Sequence, residues 1–253
     1  MHPRIEILVG LLFLAFGPTV ASAQGVAQGV AQSGSKPVLE LFTSQGCSSC
    51  PPADVLLKTY AERSDVIALS MPVDYWDHLG WKDTMASPRN TARQKAYARS
   101  LATGNIYTPQ VVINGAEETV GSNKPAIEKA IASSSRAIAA SRIEIAGNAQ
   151  GNKVTVEVGA AGQGAPAQSA TIWLAIVEPR VDVEIKHGEN RGRKLTYYNV
   201  VRGMTPVGMW SGKPVTLELP QGAEMQAGKK CAVLLQSGDA GRILAATWVV
   251  AQR

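Results

Sequence analysis

Two cysteines separated by only two serines, Cys47 and Cys50, stand where an apolar run over residues 38–42 gives way to a helical pattern that opens with Pro51-Pro52. This spacing lets both sulfurs converge at a helix start, where free backbone N–H groups and the positive end of the helix dipole stabilise a thiolate. It requires a strand, a tight turn and a helix in immediate succession. The two prolines add a further limit. A proline deep in the first turns removes a hydrogen bond and clashes with the carbonyl four residues back, and it biases the residue before it away from helix. Regular helix is therefore expected from about Pro52, with Cys47 in the preceding loop. No Lys, Arg or His stands between Ser44 and Ala53 to favour a thiolate. By order and exposure, Cys47 is the expected nucleophile and Cys50 the resolving thiol.

The flanking pattern predicts a β-α-β-α-β-β-α order. Residues 38–42 read as a strand, 53–63 as a helix with Val55, Leu56 and Tyr60 on one face, and 66–73 as a second buried strand. Ser87-Pro88 is an N-cap followed by a first-turn proline, opening a helix to about residue 101 on which Arg89, Arg93, Lys95 and Arg99 read as a solvated face. Residues 111–113 and 118–120 flank Asn114-Gly115, a hairpin signal, and Ser122 is expected to cap a helix over 123–140. Helical periodicity then stops. Short runs at 154–158, 171–177, 181–185, 195–201, 215–219, 231–236 and 243–250 alternate with Gly, Asn and Pro, as in a β-sandwich. The expected division is an α/β domain over residues 36–141 and a β-rich, sandwich-like subdomain over 142–253.

Residues 1–23 read as a secretory signal: Arg4, an apolar stretch over 7–16, and Ala21-Ser22-Ala23 as the cleavage site. That stretch is short for a bilayer span, which needs about 20 apolar residues. Residues 24–35, with a Gln-Gly-Val-Ala echo, form a flexible leader. The mature protein is thus expected in the periplasm or secreted, with no stable membrane span. Arg4 and Glu6 leave together, so the formal charge stays at +5. The basic residues are dispersed and lack a recognition motif, so no nucleic-acid partner is expected. Of the three cysteines, Cys231 sits in an apolar run and reads as a core residue, leaving an odd thiol beside the Cys47–Cys50 pair. Zinc would need two more ligands, with only Cys231, His78 and His187 to draw on, and no metal or other cofactor is expected.

Two further motifs surround the dithiol in sequence. Tyr107-Thr108-Pro109-Gln110 leads into the 111–113 strand, and Asp74-Tyr75-Trp76-Asp77-His78-Leu79-Gly80-Trp81-Lys82-Asp83 follows the second strand. Ligands of open α/β sheets sit beyond the carboxyl ends of the parallel strands. Trp76 and Trp81 are accordingly candidates for an apolar wall, and Asp74, Asp77 and His78 for proton transfer. Together with Gly188-Glu189-Asn190-Arg191-Gly192-Arg193 and Asn199-Val200-Val201-Arg202, these motifs make the chain resemble the thioredoxin-like superfamily over residues 36–141. More narrowly it resembles the exported bacterial family DUF1223 over nearly its whole mature length.

The resemblance implies a thioredoxin-like domain followed by the β-rich subdomain, with a cis Thr108–Pro109 bond whose backbone faces the cysteines. The family brings a fold rather than an established reaction; the dithiol and its setting point to thiol–disulfide exchange at Cys47 and Cys50 beside Thr108 and Pro109, with Trp76, His78, Trp81 and Tyr107 as candidates to line the substrate. The expected substrate is an exported protein or a small-molecule thiol or disulfide. Two alternatives stand beside this reading: a non-catalytic periplasmic binding module with a structural Cys47–Cys50 disulfide, and a thiol-based metal-binding protein.

Overall fold

The computed structural model describes residues 34–162, 169–220 and 228–252. The expected signal segment, nearly all of the leader and part of the glycine-rich turn at 159–164 lie outside the described residues. The first half runs β1 (Val38–Thr43), α1 (Pro51–Ala61), β2 (Ile67–Pro72), a 3-10 turn (Asp77–Leu79), α2 (Pro88–Ser100), β3 (Gln110–Ile113), β4 (Glu117–Val120) and α3 (Lys124–Ser141). The second half adds β5 (Ile145–Gln150), β6 (Lys153–Val158), β7 (Ala170–Glu184), β8 (Lys194–Trp210), β9 (Val215–Pro220), β10 (Lys230–Ser237), β11 (Ile243–Trp248) and β12 (Val250–Ala251). No helix among the described residues is long and apolar enough to cross a membrane.

β1 and β2 pair in parallel, as a strand–helix–strand unit requires, and β3 adds antiparallel to β1 with β4 outside it. The β3–β4 turn needs positive φ at both central residues, which Asn114 (53°) and Gly115 (60°) supply. A side chain at Gly115 would also lie 2.2 Å from the Gly241 carbonyl oxygen, so the second half presses on this turn. β1 is buried on both faces, which is why it reads as an apolar run interrupted only by Glu40 before Thr43. Leu39 and Leu41 pack with Leu57 and Tyr60 of α1 and Ile127 and Ile131 of α3. Val38 and Phe42 point the other way, into a core with Tyr97 of α2.

The division expected at residue 142 is corrected. β7, β8, β10 and β11 continue the first-half sheet, giving the order β11-β10-β7-β8-β2-β1-β3-β4. Val177, Val201, Ala232, Leu234 and Ala246 share one core with Phe42, Ile67, Leu69 and Val112. What remains of the sandwich is a four-stranded sheet, β12-β5-β6-β9, which packs Ile145, Val154 and Val156 against Ile172, Val233 and Leu235 of the large sheet. The joint between the halves is parallel β2–β8 pairing at Ser70 and Val200, reinforced by Asn199 Nδ2 donating to the Ala68 carbonyl at 3.0 Å.

Four smaller expectations change. The runs at 171–177 and 181–185 join through Pro179 as the single strand β7, tolerated because the facing Asn199 leaves the ladder with φ at 49°. Asn123, not Ser122, caps α3 through its side chain. Val55 is 69% exposed, and the buried face of α1 is Ala53, Asp54, Leu57 and Tyr60. Arg93 leaves the solvated face of α2 to pair with the buried Glu40 at 2.5 Å.

Candidate functional site

The chain leaves β1 through a series of short turns. Cys47 N donates to Ser44 O and Cys50 N to Cys47 O, both at 3.2 Å, while Gln45 N donates to the buried Asp83 carboxylate at 2.8 Å. Cys50 is the N-cap of α1, and its carbonyl accepts from Ala53 N and Asp54 N at 2.9 and 3.1 Å. Pro51 and Pro52 fill the first helical positions, where a backbone N–H would lack an intrahelical partner anyway. Cys47 therefore lies in the loop, and regular helix begins one residue earlier than expected. Cys47 and Cys50 form a disulfide, with Cα atoms 5.4 Å apart. Both cysteines are 0% exposed, whereas Ser48 and Ser49 between them are exposed. The expectation of an exposed Cys47 is thus corrected: the turn carries its serines outward and its sulfurs inward.

One turn into α1 lies Asp54. Thr43 Oγ1 donates to Asp54 Oδ1 at 2.8 Å, while Oδ2 is buried without a partner. Burial pushes this carboxyl up to about 8; the Thr43 hydrogen bond opposes the shift and the nearby Asp83 charge adds to it. The Tyr197 hydroxyl, brought by β8, is also buried without a partner, and burial with the charges of Asp54 and Asp83 holds it in its neutral form. Sequence reasoning missed Asp54. An acidic residue in a first helical turn ordinarily faces solvent and the helix dipole, and only its four-residue spacing from Cys50 hinted at the inner face.

The structure gathers part of the predicted site. Trp76 Nε1 donates to Thr108 Oγ1 at 2.8 Å, and the Thr108–Pro109 bond is cis. Gly121 N donates to Pro109 O at 2.9 Å, and a side chain at Gly121 would lie 3.1 Å from Ala53 Cβ and 3.2 Å from Pro109 Cβ. Glycine at 121 is thus what lets Pro109 and the first turn of α1 share one spot. A side chain at Gly46 would come 3.2 Å from Trp76 Cβ, which puts Trp76 beside the loop leading to Cys47. Trp81 Nε1 donates to Gln45 Oε1 at 2.7 Å.

Other predicted residues are turned to different tasks. The Tyr107 hydroxyl donates to Glu118 on β4, and Tyr107 O accepts from Gln94 Nε2 at 2.7 Å. His78 is exposed on the 3-10 turn, and the imidazole facing Trp81 is His187, with ring centroids 6.2 Å apart. Asp74 accepts from Thr91 Oγ1 at 2.6 Å and Asp77 from Asp83 N at 3.0 Å, so both carboxylates brace the loop. Cys231 is free and buried in the core between the two sheets. Among the described residues, no three His, Cys, Asp or Glu side chains cluster as metal ligands would.

The second half also reaches the dithiol. The tip of the β7–β8 hairpin lays Asn190 on the Cys47 loop, its Nδ2 donating to Gln45 O and Cys47 O at 2.9 Å each. Ser48 N donates to Glu189 Oε2 at 3.3 Å. Sequence reasoning singled out this glycine-flanked segment without a mechanism for it.

Fold and site together define an α/β protein with a buried dithiol bridge at a helix N-terminus, covered by a hairpin from its own second half. The chain belongs to DUF1223, a family of proteins of unknown function, which it matches over residues 38–236. A crystal structure of a protein from Agrobacterium tumefaciens is 34% identical, with a TM-score of 0.74 over 87% of this chain and 96% of that one. HBP35 of Porphyromonas gingivalis shares the fold at 11% identity, with a TM-score of 0.57 over 85% of this chain and 75% of that one. No curated protein matches the chain.

Proposed function

We propose that this protein is an exported thiol–disulfide oxidoreductase, with Cys47–Cys50 as the redox couple of a thioredoxin-like unit. The observation that carries the proposal is the setting of the bridge: it sits at the N-cap of α1, directly after a parallel strand, with a buried carboxyl on the same helix whose Oδ2 has no partner. The strand order β2-β1-β3-β4, with α1 and α3 on one face and α2 on the other, supports the thioredoxin-like assignment. The Ala21-Ser22-Ala23 signal supports export, to the periplasm or beyond.

In the bridged form, a substrate thiolate attacks Cys47 Sγ, the Cys47–Cys50 bond breaks, and Cys50 leaves with the electron pair. The departing Cys50 sulfur takes up a proton, for which the buried carboxyl of Asp54 on the same helix, neutral below a pH of about 8, is the proposed source. A second substrate thiol then attacks the mixed disulfide, and Cys47 leaves and takes up that thiol's proton. Two electrons have passed to the protein, and the substrate is left as a disulfide. The same steps reversed reduce a substrate disulfide.

Complete burial of both sulfurs supports a second reading, a structural bridge in a binding protein. One titration separates the two: the protein lacking its first 23 residues is equilibrated in glutathione buffers, and its thiols are read by alkylation and mass. The redox reading expects a reversible couple above about −270 mV, and a bridge still oxidised below about −300 mV would mark it as structural. On the redox reading, Cys50→Ser traps a mixed disulfide through Cys47, whereas Cys47→Ser traps none.

A further inference from the structure

We infer that Asn190 and Glu189 form a gate over the disulfide that gives polypeptide thiols preference over small ones. The inference rests on the redox reading above. Asn190 is 0% exposed, and both its contacts fall on carbonyls that flank the bridge, those of Gln45 and Cys47. Glu189 takes the next backbone group along, the Ser48 N–H. His187 rests on Trp81, whose indole N–H is bound to the Gln45 side chain. The loop thus clasps the chain from Gln45 through Ser48, and neither cysteine has any exposed surface while it does so. A thiolate needs access to a sulfur along the S–S axis, so exchange requires the clasp to move.

The loop is built to be displaced. Its base is closed by Ile185 N donating to Arg193 O at 2.9 Å and Gly192 N to Ile185 O at 2.7 Å, and left-handed glycines stand at Gly188 (φ 76°) and Gly192 (φ 79°). The closed state also leaves the Asn190 Oδ1 buried without a partner, a penalty that opening removes by hydration. Opening frees the carbonyls of Gln45 and Cys47 and the N–H of Ser48, all within four residues of the Cys47 loop. An extended polypeptide carries matching donors and acceptors on its backbone and can replace the clasp as it arrives. A small dithiol has none and must wait for spontaneous opening.

The test is the rate at which the bridge is reduced over a wide range of dithiothreitol concentration. Its first thiolate forms a mixed disulfide with one protein sulfur as the bridge breaks; its second thiol then closes the ring, leaving two protein thiols and oxidised dithiothreitol. In the native protein the rate should reach a plateau, set by opening. Asn190→Ala should raise that plateau tenfold or more, and Glu189→Ala, a change at an exposed residue that spares the fold, several-fold. The glutathione potential should not move in either variant, since the clasp holds backbone groups present in both redox states. An unstructured peptide with two reduced cysteines should exceed the dithiothreitol plateau on the native protein. A native rate proportional to dithiothreitol throughout and unaltered by either variant overturns the gate, whatever the potential. A peptide no faster than the plateau overturns its preference for polypeptides. Saturating, Asn190-dependent kinetics with a potential below about −300 mV would keep the gate and remove the redox reading instead.

Discussion

At Asp54, desolvation prevails over a helix start that ordinarily favours the ionised form. The consequence has a definite sign. The carboxyl moves from an ordinary 3.8 to about 8 on folding, so the native state holds the proton more tightly than the unfolded chain. The stability this gives is complete below pH 4, declines as pH rises, and is lost once pH passes about 8. Asp54→Asn abolishes that titration. Urea unfolding at pH 5 and pH 9 should therefore show the variant gaining on the native protein at the higher pH. Each tenfold gain in proton affinity on folding is worth about 1.4 kcal/mol, so the difference should reach several kcal/mol. A difference that stays constant would mean that the native carboxyl ionises like an exposed one. Side-chain identity made Cys47 and Cys50 legible from the sequence, because their chemistry depends on local order. Asp54 and Asn190 were opaque for the opposite reason: each owes its role to a neighbour brought by tertiary packing.

The helix α2 shows how an element can be bounded correctly in sequence and still misjudged. Ser87 caps it and Pro88 begins it, as the dipeptide implies, because both signals act within the helix itself. Its inner face is another matter. Asn90 Nδ2 reaches Pro72 O at 2.9 Å, Gln94 Nε2 reaches Gln110 Oε1 at 2.9 Å, and Ser100 Oγ reaches Ala240 O at 2.6 Å. Arg93 and Tyr97 converge on Glu40, which lies fully buried in the middle of β1. A helix docked by polar contacts has little apolar stripe, so periodicity assigns these residues to solvent. Breaking the pair is expected to be expensive: Arg93→Ala leaves a buried carboxylate uncompensated, at about 3–5 kcal/mol. Denaturant unfolding measures it directly. A loss below about 1 kcal/mol would reduce the pair to the standing of a surface ion pair. The long β7 reads as two runs for a related reason, since Pro179 looks like a strand end until the facing Asn199 is known to leave the ladder.

For the molecule as a whole, the strands that complete the sheet are far away in sequence. The first seven elements are visible in order because each is announced locally, by a cap, a turn pair or an apolar run. Their insufficiency is not announced anywhere. β2 is an inner strand only because β8 lies beside it, and the core that holds Phe42, Leu69 and Val112 takes Val177, Val201, Leu234 and Ile243 from beyond residue 141. Buried polar groups cross the same divide. Asn114 Nδ2 donates to Ile243 O at 2.7 Å, Gln236 Nε2 to Tyr97 Oη at 2.9 Å, and Asn190 holds the dithiol loop itself. Cutting the chain after Ser141 would expose one whole face of that core, unpair the outer edge of β2, and leave the Asn114 side-chain amide without its acceptor. Each orphaned buried hydrogen-bonding group costs about 1–3 kcal/mol, against a total stability of about 5–15 kcal/mol for a domain. The 34–141 fragment is therefore expected to lack a cooperative unfolding transition and to bind apolar dyes, while the chain from residue 34 to its end unfolds in one step. Thermal circular dichroism on both pieces checks it. A sharp transition in the fragment would mean that α1, α2 and α3 suffice to close a core around β1–β4, and that the second half was added to a unit already stable alone.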